Sequence, residues 1–184
     1  VPFPLSGCKQ VFPPPEGEGA KAPSVLAVGD DAIRVSRPAG ASPRWLGYAS
    51  PQTALALLDR PLDPPAGFVL EGRMQVDSLG FGRPCIGLYL EEQHDRGTAA
   101  LLHACRLTEL GTMRPGDAHF DVEDRTAFGC ATVTGIEPGQ ACAFRLLFRQ
   151  DMFELYMNDL LVQSYHADGA TGRVGFIVRD GQAV

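Results

Sequence analysis

The sequence is poor in the features that mark several large functional classes. It has no long apolar run: nothing in it approaches the roughly 18 residues of a helical membrane span. Positive charge is scarce, with 16 Lys+Arg against 22 Asp+Glu and a net charge of -6. A nucleic-acid surface wants a basic face, so neither nucleic acid nor membrane is expected as a partner. The five cysteines, Cys8, Cys85, Cys105, Cys130 and Cys142, include no C-x-x-C pair, which removes the usual spacing of a zinc or redox site. No Gly-rich loop leads from a strand into a helix, so a phosphate cradle is absent. No G-x-S-x-G turn is present to expose a nucleophilic serine. No internal repeat is visible, which argues against a propeller. A helical period with caps is missing as well. Thr98–Leu110 comes closest and is the one place where a helix competes with a strand.

What is present is turn chemistry and short apolar segments. The chain has 184 residues, enough for one sizeable core, and its hydrophobic fraction of 45% and charged fraction of 21% are those of a globular domain. Pro2, Pro4, Pro13, Pro14, Pro15 and Pro23 punctuate the start. Residues 1–23 therefore read as an extended lead-in or linker, with an edge strand over Gln10–Phe12, and 24–184 as the folded domain. That start and the missing initiator Met read as a piece of a longer chain. From Ser24 onward the sequence predicts strand after strand: Ser24–Val28, Ala32–Arg37, Trp45–Ala49, Thr53–Leu58, Phe68–Val76, Cys85–Leu90, Ala99–Leu107, Thr126–Val133, Ala143–Arg149, Met152–Met157, Leu160–His166 and Arg173–Val178, with a less regular Met113–Glu123. Many short strands separated by Gly and Pro point to a β-sandwich or barrel, and an all-β, antiparallel two-sheet sandwich is the fold expected. Its core should hold Phe144, Leu146, Phe148, Phe153, Leu155, Val162, Val174, Phe176 and Val178. Small apolar neighbours around Cys105, Cys130 and Cys142 point to reduced, buried thiols.

The segment FELYMNDLLVQSY, Phe153–Tyr165, poses a choice. Its Met157-Asn158-Asp159 also occurs inside the nucleophile motif W-M-N-D-P-N-G of invertase-like glycoside hydrolases. Here Leu160-Leu161-Val162 follows in place of Pro-Asn-Gly. A hairpin explains the segment better. With Asn158-Asp159 as its turn, Phe153, Leu155 and Met157 share a face with Leu160, Val162 and Ser164, while Glu154 and Tyr156 share the other with Leu161, Gln163 and Tyr165. Asn and Asp tolerate the left-handed conformation that such a turn demands. Asp159 is read as a turn residue, not a nucleophile.

The surrounding stretch, ACAFRLLFRQDMFELYMNDLLVQSYHADGATGRVGFIVRDG, resembles the closing strands of concanavalin-like and laminin-G-like β-sandwiches. Thr171-Gly172-Arg173-Val174-Gly175-Phe176 is similar to the G-x-[IV]-G-[FL] strand of that group. The stretch is most similar to the sandwich domain that follows the five-bladed propeller of invertase-like glycosidases. The resemblance implies a concanavalin-like jelly roll and a carbohydrate-associated accessory module, partnered by a carbohydrate or an upstream catalytic domain. A self-standing sandwich glycosidase or lyase and a laminin-G-like interaction domain are the alternatives.

Retaining glucanases of this jelly-roll kind share an E-x-D-x-x-E strand motif that sets acid and nucleophile on one face, roughly 5 Å apart. Glu91-Glu92, Asp121-Val122-Glu123-Asp124 and Glu154 do not have that spacing, so no catalytic residue is assigned. Trp45, Arg145, Arg149, Tyr156 and Tyr165 are the candidate sugar-binding or domain-packing face, since aromatic faces stack on sugar C–H groups and Arg offers planar donors. Asp117, His119 and Asp121 would lie on one side of an extended segment. They are the candidate cation ligands, structural Ca²⁺ being the ion that carboxylates and carbonyls suit; no other cofactor is expected. A solvated edge is the plainer reading of the trio. His94 reads as exposed and His103 as a satisfied core or interface histidine.

Overall fold

The computed structural model describes residues 8–12, 26–28, 32–37, 53–79, 85–93, 96–103, 108–114, 119–124, 137, 139–167, 169–179 and 181–183. Among these it holds strands and no helix. The strands are β1 (Lys9–Phe12), β2 (Leu26–Val28), β3 (Ile33–Arg37), β4 (Thr53–Leu57), β5 (Phe68–Leu79), β6 (Cys85–Gln93), β7 (Arg96–His103), β8 (Thr108–Arg114), β9 (His119–Asp124), β10 (Ala141–Arg149), β11 (Met152–Met157), β12 (Leu160–His166), β13 (Val174–Arg179) and β14 (Gly181–Ala183). They form two seven-stranded sheets, β1-β4-β13-β6-β7-β8-β9 and β12-β11-β10-β5-β14-β3-β2. The described pairings are antiparallel. The fold is the expected all-β, antiparallel two-sheet sandwich, and not the barrel that the strand pattern also allowed.

Several expectations resolve in detail. The edge strand over Gln10–Phe12 is real: β1 pairs with β4, so this part of the Pro-rich lead-in belongs to the sandwich. An ion pair of 2.9 Å between Lys9 and Asp59 ties it further and holds the Asp59 carboxyl below its ordinary range. The competing helix over Thr98–Leu110 does not form; β7 and β8 occupy its described residues and pair with each other. The irregular Met113–Glu123 segment spans the end of β8 and nearly all of β9. The strands expected over Trp45–Ala49 and Thr126–Val133 lie outside the described residues.

The core sits between the sheets. Phe144, Leu146, Phe148, Phe153, Leu155, Val162, Val174 and Val178 are buried, and Phe176 packs against them half-buried. Phe68 stacks on Phe148 at 5.3 Å between centroids, and Phe144 meets Phe176 edge-on at 6.2 Å. Each such side chain contributes roughly 1.5–3 kcal/mol on burial. Free thiols at Cys8 and Cys142 are buried with them, as small apolar residues would be. Burial pushes the Cys8 thiol up to about 11.

The hairpin between β11 and β12 closes as expected. Asn158 and Asp159 have φ of 48° and 63°, the left-handed pair of a type I′ turn. Asn158, the only asparagine in the chain, does more than turn. Its backbone N–H donates to Ala143 O at 2.9 Å, and its side-chain oxygen accepts from Ala143 N–H at 3.0 Å. The turn is thereby bonded to β10 as well as to its own hairpin.

The register beyond the turn corrects the simple alternation. Tyr156 pairs with Leu161 but Leu155 pairs with Gln163, leaving Val162 as the extra residue of a β-bulge. One inserted residue exchanges the faces of everything after it. Gln163 and Tyr165 therefore turn inward, and Ser164 turns outward. Tyr165 packs on Phe153 at 5.9 Å, on the side opposite Tyr156.

Candidate functional site

The outer face of the second sheet carries the candidate site. β10 alternates buried and less buried residues, so Phe144, Leu146 and Phe148 point inward while Arg145, Leu147 and Arg149 point out. Antiparallel register then places partners across the strands. Arg145 lies between Glu71 on β5 and Tyr156 on β11. Leu147 lies between Val69 and Glu154. Cross-strand neighbours of this kind are close enough for side chains to interact.

Arg145 and Tyr156 use that proximity. The guanidinium carbon sits 4.7 Å from the centroid of the ring, a cation–π contact. The Tyr156 hydroxyl donates to Glu154 Oε2 at 2.8 Å. This hydrogen bond, before burial and the Glu154 charge, holds the phenol above its ordinary range, while Arg145 acts the other way. Arg145 Nη1 stands 3.7 Å from Asp159 Oδ1 at the hairpin turn. Arg145 Nε is buried without a hydrogen-bond acceptor. The result is an arginine seated over a ring, with the Asp159 carboxylate beside it and Glu154 bonded to the same tyrosine, on a sheet face that reaches solvent. Such an array offers planar donors and anionic acceptors to a polyhydroxylated ligand. The guanidinium already covers the Tyr156 ring, so this tyrosine is an anchor for Arg145 and not an open stacking platform.

The other predicted residues are dispersed. Arg149 shares the outer face but is exposed at the far end of the β10–β11 hairpin, opposite Met152. Tyr165 belongs to the inner face because of the bulge at Val162, so it does not join Arg145 and Tyr156. Trp45, Asp117 and His94 lie outside the described residues, as do the side chains of His103, His119 and Asp121; the backbones of the last two are paired in β9. Among the described residues no group of three His, Cys, Asp or Glu side chains gathers as a cation site. Two contributors escape sequence reasoning. Asp159 is legible as a turn residue, but its approach to Arg145 depends on the pairing of β10 with β11. Glu71 is placed across from Arg145 on β5, more than seventy residues earlier in the chain, and no local pattern announces it.

By sequence the chain matches no protein-family model and no curated protein. In three dimensions it is similar to solved sandwich domains. The carbohydrate-binding module CBM66 from Bacillus subtilis superposes with a TM-score of 0.60 at 17% identity, covering 100% of this chain and 95% of that one. The chain has a lectin-type β-sandwich fold. The carbohydrate recognition domain of Emp46p superposes on this sandwich with a TM-score of 0.57 in its potassium-bound form, at 11% identity, covering 97% of this chain and 85% of that one. Its metal-free form gives 0.58 at 12% identity, with the same coverage. At such identities the likeness concerns the lectin-type fold and no individual residue.

Proposed function

We propose that this chain is a non-catalytic carbohydrate-binding module, and that it serves a larger glycoside-hydrolase-like protein as an accessory domain. The observation that carries the reading is the end-to-end match of the sandwich to a carbohydrate-binding module, with 100% of this chain and 95% of that one aligned. The invertase-like character of the closing strands supports the larger parent. The outer-face array supplies the chemistry that sugar recognition needs. Arg145, anchored on Tyr156, donates to ring and exocyclic hydroxyls, and Glu154 accepts from them. A second reading, packing of this face on a neighbouring catalytic domain, has its own support. Val69, Met152 and Leu161 are exposed apolar residues on the same face, and Arg, Tyr and Met are enriched at protein interfaces.

Calorimetric titration against a panel of neutral oligosaccharides separates these readings. Saturable binding that weakens in Tyr156→Ala supports the module and places its ligand on this face. Absence of binding, together with turnover of a polysaccharide by the chain alone, overturns it in favour of a self-standing enzyme. Absence of both, with Tyr156→Ala disturbing assembly with a catalytic domain, favours the packing face.

A further inference from the structure

One end of the sandwich is closed by an arrangement that the strand pattern does not explain. The loop after β12 folds back on β6. Thr171 N–H donates to Glu91 O at 2.9 Å, and Glu91 N–H donates to Arg173 O at 2.9 Å. The Thr171 hydroxyl donates to Glu91 Oε2 at 2.6 Å, and Arg173 Nε stands 3.7 Å from the same oxygen. The Glu91 side chain is 8% exposed while that of Arg173 is 53% exposed. Gly172, at φ 83°, makes the turn between them, and a Cβ there would collide with Leu62 O.

A carboxylate this buried is costly unless its lone pairs are used. Thr171 and Arg173 both approach Oε2. Among the described residues no donor reaches the other oxygen of Glu91. The register break in β6 falls at Glu92, next to Glu91. The Glu92 carboxylate accepts from the Thr98 hydroxyl. Glu91 thus presents a fixed, largely buried carboxylate at the rim of the first sheet, its open oxygen within reach of solvent and the half-exposed Arg173 fork beside it. Backbone bonds alone would pin the loop; a buried charge is not needed for that.

We propose that Glu91, Thr171 and Arg173 form a subsite for adjacent hydroxyl groups of a neutral sugar. One hydroxyl donates to the open Glu91 oxygen, and its neighbour accepts from the Arg173 guanidinium. Glu91 and Glu92 together disfavour an acidic sugar. The inference rests on the carbohydrate-module reading but names a different place, remote in the sheets from Arg145.

The test uses the full 184-residue chain. Methyl glycosides of glucose, galactose and mannose, and methyl glucuronide, are titrated while backbone amide shifts are followed by NMR. The expected result is saturable shifts at Glu91, Thr171 and Arg173 with a neutral glycoside, and weaker binding of the glucuronide. Glu91→Gln and Arg173→Ala should each weaken the neutral ligand about ten-fold, as loss of a charge-assisted hydrogen bond does. Shifts confined to Arg145 and Tyr156, with Glu91→Gln binding as the parent does, would overturn the subsite and leave the module reading intact. No shift anywhere with any sugar would overturn both. A lower melting temperature in Glu91→Gln with unchanged affinity would make Glu91 only a loop pin. Should that variant not fold, the exposed Arg173→Ala carries the test, and unchanged affinity there overturns the subsite.

Discussion

The two sheets contain seven strands each, yet their described residues bury different numbers of faces. The first sheet is apolar on both. Ile86, Leu88, Leu90, Ala100 and Leu102 face the second sheet, while Leu55, Leu57, Tyr89, Ala99, Leu101, Met113 and Ile177 form a separate buried cluster on its far side. Among its described residues the second sheet buries only its inner face; Glu71, Arg73, Arg145 and Glu154 lie on the other. The strands carry this difference in their composition. β6 and β7 read as near-continuous apolar runs, the mark of strands covered on both faces, whereas β10 and β11 alternate. Ligand chemistry on the flat of a sheet is therefore open to the second sheet, while the first offers its rim, at Glu91.

The comparison breaks most visibly in the shared core. Phe153→Ala should cost about 3–5 kcal/mol in urea unfolding, as for a buried aromatic. A near-neutral result would put Phe153 on the open face. Leu101→Ala sharpens the contrast between faces. It should cost about 2–5 kcal/mol, because its site is as buried as the central core. A cost below about 0.5 kcal/mol, the range of ordinary surface positions, would mean the far face is open. Gly175→Ala tests how closely that face is packed. The added Cβ would lie 2.7 Å from Leu57 Cδ2 and 2.9 Å from Ala56 O, so a loss of about 1–3 kcal/mol is expected.

Smaller effects probe the edge strand and the turn. The Cys8 thiol is raised from 9.0 to about 11 in the folded chain, chiefly by burial. The unfolded chain releases this proton first as pH rises, so its contribution is complete below pH 9.0 and is lost toward about 11. Thermal melts across that interval should fall, and Cys8→Ala should flatten the decline. An equal decline in the variant would assign it to other groups. Least of all, Asp159→Gly should barely change stability, since glycine suits a φ of 63° and the lost ion pair is exposed. A marked loss of stability would show that the 3.7 Å approach to Arg145 contributes more than an exposed pair usually does.

The site was legible only in part for a reason visible at Tyr165. Alternation places it beside Tyr156 on paper. The bulge at Val162 sends it to the other face, where it packs on Phe153. Nothing in Leu160-Leu161-Val162-Gln163 marks which residue will be the extra one. Arg145 and Tyr156, by contrast, were legible as outward residues, because no register break separates them along β10 and β11.

The sequence by itself determined the class of the fold, the type I′ turn at Asn158-Asp159 and the inward set of β10, β11 and β13. These depend on properties read along one strand: side-chain period, left-handed tolerance and the spacing of Gly and Pro. Only the tertiary structure decided that Glu71 pairs in register with Arg145, that β14 inserts between β3 and β5, that the first sheet is buried on both faces, and that Thr171 and Arg173 close over Glu91. Each of these is a contact between segments far apart in the chain. Local pattern fixes which side of a strand a residue occupies, but the partner across the gap is set by sheet order, register and bulges, which no single strand encodes.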